Sequence, residues 1–357
     1  VNTSVNSNVN SKMIRWRRVA AIAGVVTLAM VAAACGDDDD ADEPAGTQAP
    51  AGTQAPAGTQ APAGTQGGGE TDLSELSGEI RIDGSSTVTP LISLAAEDFQ
   101  NETGGNVQVT VGTSGTGGGF EKFCNDETDI SMASRQIKQE EIDACAGNGI
   151  EYFEVVVAND GLSVVVNPEN DWAECLTVEQ LNAIWAPEST VSNWNEVDPS
   201  FPDQALTLFG AGSDSGTFDY FTAAINGEEG ATRTDYNPSE DDNVTVTGVA
   251  GDKGAMGYFG LSYLLENEGS VKGVAIDDGA GCVFPSTETV QSGEYTPLGR
   301  ELYIYVKESA AERPEVAGFV QFYLDNSESI TSEALFVPLT DEQKQVALDE
   351  LAALQAG

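Results

Sequence analysis

Three short stretches of this 357-residue sequence carry the same chemistry. GSSTV (84–88), GTSGTGGG (112–119) and GSDSGT (212–217) are loops of Gly, Ser, Thr and Asp that each run into a helix-like segment. The first turn of a helix presents unpaired backbone N–H groups and the positive end of the helix dipole. Glycine lets a ligand approach that backbone closely, and each hydroxyl adds a donor. One such loop is ordinary helix capping. Three in one chain, each over-rich in donors, point to an oxyanion seat shared among them.

A fourth stretch fits the same chemistry. SMASRQIK (131–138) follows a strand-like run and offers Ser134 and Arg135. An Arg just past a strand end can grip phosphate-like oxygens with a forked pair of charge-assisted bonds. Its bland alternative is a surface ion pair with one of many carboxylates. A hydrolase reading of the same serines lacks a base, because the chain contains no His. Lys138 and Lys253 stand at no telling spacing from a nucleophile. GTSGTGGG also lacks the Gly-Lys-Ser/Thr ending of a nucleotide-binding loop. Neither a catalytic group nor a cofactor is therefore expected.

These loops need elements to hold them. Ile80 and Ile82 alternate toward GSSTV, and Pro90 suits the first turn of the helix after it. Val107–Val111 reads as a strand before GTSGTGGG, and ALTLF as one before GSDSGT. TDISMAS, EYFEVVVA and DGLSVVVNP are further strands, while QEEIDACA and TVEQLNAIW are short helices. Strands alternating with helices predict an α/β architecture with parallel or mixed sheets. The anion would sit where several strand ends converge.

The N-terminus is of another kind. Lys12, Arg15, Arg17 and Arg18 precede an apolar run from Val19 to Ala34, and Cys35 ends it. Basic, apolar, then small residues is the pattern of an export signal, here residues 1–34. The AAAC ending resembles a lipoprotein box, which makes Cys35 the lipidated residue and a membrane anchor. Residues 35–77 then repeat AGTQAP with almost no apolar bulk, a composition that predicts a disordered tether. Four further cysteines, Cys124, Cys145, Cys175 and Cys282, are an even number in an exported chain. They predict disulfides, with three pairings open. Their spacing and the lack of His speak against zinc or any other metal site.

Together, DGSSTVTP, VGTSGTGGGFEKFCNDETDISMASRQIK, NDGLSVVVNP, CLTVEQLNAIW, LFGAGSDSGTFDYFTAAI and GAMGYFGLSYL resemble the phosphate-binding lipoprotein of the bacterial high-affinity phosphate ABC transporter. The likeness runs in order from about Gly78 to Phe336. It implies a two-lobed periplasmic-binding-protein type II fold, with mixed sheets flanked by helices and two linker strands near VVVANDGLSVVV and LGRELYIYV. Lobe one would hold residues 79–159 and 300–345, lobe two residues 160–299, and 346–357 would be a terminal helix and tail. On that division Cys124–Cys145 and Cys175–Cys282 each stay within a lobe, whereas the other pairings would staple the lobes together.

The resemblance also implies a ligand set. Thr87, flanked by Ser86 and Val88, matches one ligand; Ser114 or Thr116, around Gly115, matches another. Ser215, Gly216 and Thr217 match the family's Ser-Gly-Thr cradle, with Ser213 and Asp214 in the same loop. Some members carry an Arg before that cradle, where this chain has Ala211 and Gly212, and an Asp where it has Ser134. Ser134 and Arg135 are expected to take over, Arg135 as the cation, with Asp83 or Asp214 as candidate acceptor of the ligand's proton. The implied partners are inorganic phosphate and permease subunits, for a monomer that is not an enzyme.

Acidity sets this anion site in an unusual field. The chain carries a formal net charge of -43, and without residues 1–34 the balance is 11 basic against 58 acidic side chains, or -47. Such a charge makes nucleic acid an improbable partner. It also builds self-repulsion into the fold, which salt screens. The unfolding midpoint is therefore expected to rise steadily from low to molar NaCl in a thermal melt; a flat or falling curve would count against this reading.

Overall fold

The computed structural model describes residues 72–213 and 215–355. The export signal, Cys35, most of the AGTQAP tether and Asp214 lie outside the described residues. Folded chain begins earlier than the tether boundary at 77 implies. A 3-10 turn spans Leu73–Glu75, and Leu76 is buried in the core. DLSEL carries two leucines with an apolar surface to cover, which the repeat lacks.

The first half alternates strand and helix: β1 (Gly78–Gly84), α1 (Thr89–Glu102), β2 (Val107–Val111), α2 (Gly115–Cys124), β3 (Ile130–Ala133) and α3 (Gln139–Gly147). A 15-residue strand, β4 (Tyr152–Val166), leads out of it. The second half holds β5 (Cys175–Thr177), α4 (Val178–Trp185), α5 (Trp194–Val197), β6 (Thr207–Ala211), α6 (Gly216–Asn226), β7 (Asn237–Ser239), α7 (Asp242–Gly251), β8 (Ala255–Gly260), α8 (Leu261–Glu266), β9 (Lys272–Gly273), β10 (Ala275–Asp277), β11 (Cys282–Val283) and α9 (Thr287–Gln291). The chain returns through β12 (Gly299–Lys307) and closes with α10 (Glu308–Ala311), α11 (Pro314–Asp325), α12 (Ser327–Glu333) and α13 (Asp341–Gln355).

The local rules are visible in these elements. Pro90 sits in the first turn of α1, where its missing N–H costs nothing. Leu91, Ile92, Ala95, Ala96 and Phe99 form the buried stripe of that helix. Thr177 and Gln180 cap α4 reciprocally, at 3.1 and 2.9 Å.

One mixed sheet runs in the order β2-β1-β3-β12-β4-β8-β6-β7, with β9 beside β4. β1 pairs in parallel with β2 and β3, and β6 in parallel with β7 and β8. β4 joins the two halves. Its first part pairs antiparallel with β12, up to Gly161 opposite Gly299, and its second part pairs with β8 from Leu162 onward. The change of partner at Gly161 divides the core. Leu162, Val164, Val165 and Val166 pack with Trp185, Phe221 and Tyr258, whereas Val155, Val157 and Ala158 pack with Ile80, Phe99 and Phe319. A smaller cluster around Phe120, Phe123 and Tyr305 covers the other face of the first half. This is the two-lobed, mixed-sheet α/β fold, with β4 and β12 as the linker strands.

The disulfides are Cys124–Cys145, which joins α2 to α3, and Cys175–Cys282, which joins β5 to β11. This is the pairing the resemblance implies, and neither bond crosses from one core to the other. The terminal helix starts at Asp341, five residues before the expected boundary, and Ala347 and Leu351 dock in the first core.

Gly84, at the mouth of the first loop, shows how tightly strand and loop are joined. Its φ is +144°, and a methyl added there would lie 2.1 Å from the Met132 carbonyl oxygen. Only glycine fits this conformation and this approach. Gly84→Ala is expected to cost about 2–4 kcal/mol, from backbone strain plus overpacking. Gly147→Ala, where nothing lies within 4 Å, serves as the control. Equal melting temperatures for the two variants would refute the argument.

Candidate functional site

Each glycine-and-hydroxyl loop follows the C-terminal end of a parallel strand. β1 delivers Ser86, Thr87 and Val88 to the start of α1, and β2 delivers Ser114 to the start of α2. β3 ends at Ala133, so Ser134 and Arg135 follow at once. β6 delivers Ser213, Ser215, Gly216 and Thr217 to the start of α6.

The loops of the first half interlock. The Ser114 hydroxyl and backbone N–H donate to Asp83 Oδ1 at 2.6 and 3.0 Å, and Lys122 Nζ binds Asp83 Oδ2 at 2.5 Å. Burial raises the Asp83 carboxyl, but the bonds from Lys122 and Ser114 outweigh it and hold the group below the usual carboxylate range. The Thr116 hydroxyl lies 3.1 Å from Ser134 Oγ and accepts the Ser134 N–H at 3.2 Å. Ser134 and the α2 loop are thus one unit, fixed from behind by a carboxylate, Asp83, that is itself committed.

The loop of the second half meets that unit directly. A methyl on Gly216 would lie 2.7 Å from Thr87 Oγ1 and 3.3 Å from Thr87 Cα, so the N-termini of α1 and α6 touch. Ser215 caps α6 by accepting the Thr217 N–H at 3.2 Å. Two helix N-termini with facing hydroxyls form a concentrated anion-binding end.

The cation at this junction is Arg300. Its Nη2 donates to Thr87 Oγ1 at 3.3 Å, its Nη1 to the Ser134 carbonyl at 3.2 Å and its Nε to Asp160 Oδ2 at 3.1 Å. Its guanidinium carbon stacks 3.5 Å above the ring of Tyr220 in α6. Tyr220 is fixed in turn by donating to the Pro297 carbonyl at 2.9 Å. Burial pushes the Asp160 carboxyl up, and Arg300 pulls it back only in part. Burial and Glu229 also raise Asp219 in the first turn of α6, again opposed by Arg300.

Arg135 is placed differently from the expectation that it supplies the cation. Both of its terminal nitrogens bind the Glu141 carboxylate, at 2.9 and 2.8 Å, and its guanidinium lies 5.7 Å from the Phe120 ring centre. The pairing holds Arg135 protonated more firmly than usual, chiefly through the Glu141 bonds. Glu141 also accepts the Lys138 N–H at 2.8 Å, so one carboxylate closes the turn and claims the guanidinium. Arg300 is the residue the motifs missed. Its signal was its position: an Arg beside glycine at the start of a linker strand, in a chain with few cations.

The structure therefore brings Thr87, Ser134, Gly216 and Arg300 together, with Thr116 bonded to Ser134 and Ser114 bonded to Asp83. Ser86 and Ser213 are exposed at the rim, and Val88 is buried in the core. Among the described residues no group of three or more His, Cys, Asp or Glu is arranged to hold a metal ion.

Known proteins share this arrangement of sequence and fold. The sequence profile of a PBP superfamily domain matches residues 49–327. The chain is 46% identical over 272 residues to Protein SphX of Synechocystis sp., a match spanning 75% of this chain and 81% of that one. It is 36% identical over 290 residues to the phosphate-binding protein PstS of Staphylococcus saprophyticus, spanning 80% and 89%. The crystal structure of "a possible phosphate binding protein" from Planctomyces limnophilus aligns with a TM-score of 0.76 at 46% identity, over 78% of this chain and 99% of that one. The chain belongs to the PBP superfamily.

Proposed function

We propose that the chain is an extracytoplasmic binding protein that closes its two lobes on inorganic phosphate and delivers it to the permease of an ABC importer. Lobe one comprises about residues 79–159 and 300–345, and lobe two about 160–299. A lipid on Cys35 holds the protein, as a monomer, at the membrane face. The single observation that carries the reading is Arg300: one guanidinium reaches Thr87 and Ser134 from a linker strand while stacking on α6. Supporting it are its relatives, which include proteins named as phosphate-binding.

In this reading Thr87, Ser134, Ser215, Gly216, Thr217 and Arg300 surround the ligand. Ser86 and Ser213 line the entrance, Thr116 holds Ser134 in place, and Ser114 and Gly115 belong to the same loop, which Asp83 anchors through Ser114. Arg135 shapes the turn through Glu141 and does not touch the anion. A charge-assisted hydrogen bond contributes ~1.5–3 kcal/mol net, so several suffice for the ~8 kcal/mol of micromolar binding. In this reading the groups bind and do not react: the carboxylate beside the Ser114 hydroxyl, Asp83, is held below its usual range by Lys122 and Ser114 and is a poor base, so no turnover of p-nitrophenyl phosphate is expected.

Titration calorimetry with phosphate, arsenate and sulfate tests the reading. Phosphate should bind at micromolar or tighter affinity, and sulfate should bind far more weakly. Arg300→Ala should lose about 2–3 kcal/mol of binding, roughly 30- to 150-fold in Kd. Thr217→Val should lose about 1 kcal/mol, and Arg135→Ala should stay within about threefold of the parent. Full affinity in Arg300→Ala would overturn the site, and binding of sulfate in place of phosphate would overturn the ligand.

A further inference from the structure

We propose that Gln343, at the start of α13, is a positioning residue for the anion site, clamping the two linker strands one residue away from Asp160 and Arg300. The inference rests on the phosphate reading and names a part of its machinery that contacts no ligand. Across the linker, Arg300 lies opposite Asp160, and Glu301 opposite Asn159. Gln343 Nε2 donates to Asn159 Oδ1 at 2.9 Å and to Glu301 Oε1 at 2.7 Å. Its Oε1 accepts from Asn159 Nδ2 at 3.0 Å and from the Thr340 N–H at 2.9 Å. The carboxamide thus spends both donors and both acceptor sites, and three of the four bonds go to the linker strands.

The clamp belongs to a third crossing between the lobes. Val337 packs in the second core, although α12 and α13 on either side of it belong to the first. Its backbone pairs with Asn159 in both directions at 2.9 Å. The Pro338 carbonyl accepts from Asn159 Nδ2 and from Gln291 Nε2, each at 2.9 Å, and the Leu335 carbonyl accepts from Ser262 Oγ at 2.5 Å. Gln291 and Ser262 lie on α9 and α8 of the second half. Residues 335–340 therefore strap the hinge, and Gln343 fastens the strap to both linkers. Asn159 is only 1% exposed, so loosening this network leaves buried amide groups unpaired.

A simpler role would be helix capping, since Thr340 and Gln343 form a capping box, with the Gln343 N–H on Thr340 Oγ1 at 3.1 Å. The two roles separate chemically. Glu serves a capping box as well as Gln, but it has no N–H for Asn159 or Glu301 and sets a second carboxylate against Glu301. The test uses the full chain with Gln343→Glu, Gln343→Ala and the double variant Gln343→Glu with Glu301→Gln, which moves the donor to the other side. Phosphate Kd is measured by calorimetry, and the rates by stopped flow.

Both single variants should weaken phosphate binding about tenfold, mostly through faster release, and the double variant should recover at least half of that on a logarithmic scale. Unchanged affinity in Gln343→Glu, or no recovery in the double variant, overturns the proposal. If the parent chain binds no phosphate, the functional reading fails by itself. The clamp is then decided by ligand-free distance distributions between spin labels on the two lobes. A broader distribution in Gln343→Glu than in the parent upholds it, and an identical one overturns it.

Discussion

The pair of partly buried Arg300 and buried Asp160 is the constraint around which the rest is arranged. Burying two charges costs several kcal/mol per ion, and a single pair seldom returns more than that. Stability is a poor reason to place it there. Position is a better one. The two residues face each other across β4 and β12, next to Gly161 and Gly299, at the point where β4 changes partners. A cation on either lobe would travel with that lobe. One on the linker keeps its place while Thr87 and Ser134 approach from one side and Tyr220 from the other. Asp160 Oδ2 lies 3.1 Å from both Nε and Nη2, while Nη2 also reaches Thr87 and Nη1 is left to the Ser134 carbonyl.

The same arrangement explains how so acidic a chain can seat an anion. A net charge of -43 acts at long range and is screened within about 8 Å at physiological salt. It slows the approach of an anion more than it weakens contact binding. Inside the site the fields are local: two helix N-termini and one guanidinium. The cations nearby are tied up structurally, Arg135 by Glu141 and Lys122 by Asp83. They shape loops and strand ends and leave the contact chemistry to Arg300.

What the sequence makes legible is what is decided locally. Strand, loop and helix follow from alternation, glycine placement and capping residues within ten positions of one another, and GSSTV, GTSGTGGG and GSDSGT all stand at helix starts. The choice between Arg135 and Arg300 is not local. Arg135 adjoins Ser134 in sequence but turns to Glu141, six residues on, while Arg300 reaches Ser134 from 166 residues away. The disulfides needed the lobe division before one of three pairings could be preferred. Leu73 and Leu76 were hidden by the polar repeat before them. Gln343 carried no signal beyond a capping box, because its other partners, Asn159 and Glu301, come from two distant strands.

The hinge itself is packed, and that bears on how the lobes move. Gly161 and Gly299 are opposite one another, yet neither has the left-handed backbone that would make glycine a conformational necessity. Both are there for room: a methyl on Gly161 would lie 2.7 Å from Val290 Cγ2, and one on Gly299 would lie 2.7 Å from the Tyr295 carbonyl. α9 and the turn after it therefore press on the linker where it must bend. A close-packed contact does not stretch by degrees; it holds or it repacks. With the strap of residues 335–340 across the same point, opening must break a set of contacts together. That favours two discrete arrangements of the lobes over a continuous swing, and a ligand that bonds to Arg300, Thr87 and Gly216 at once can be held only in one of them.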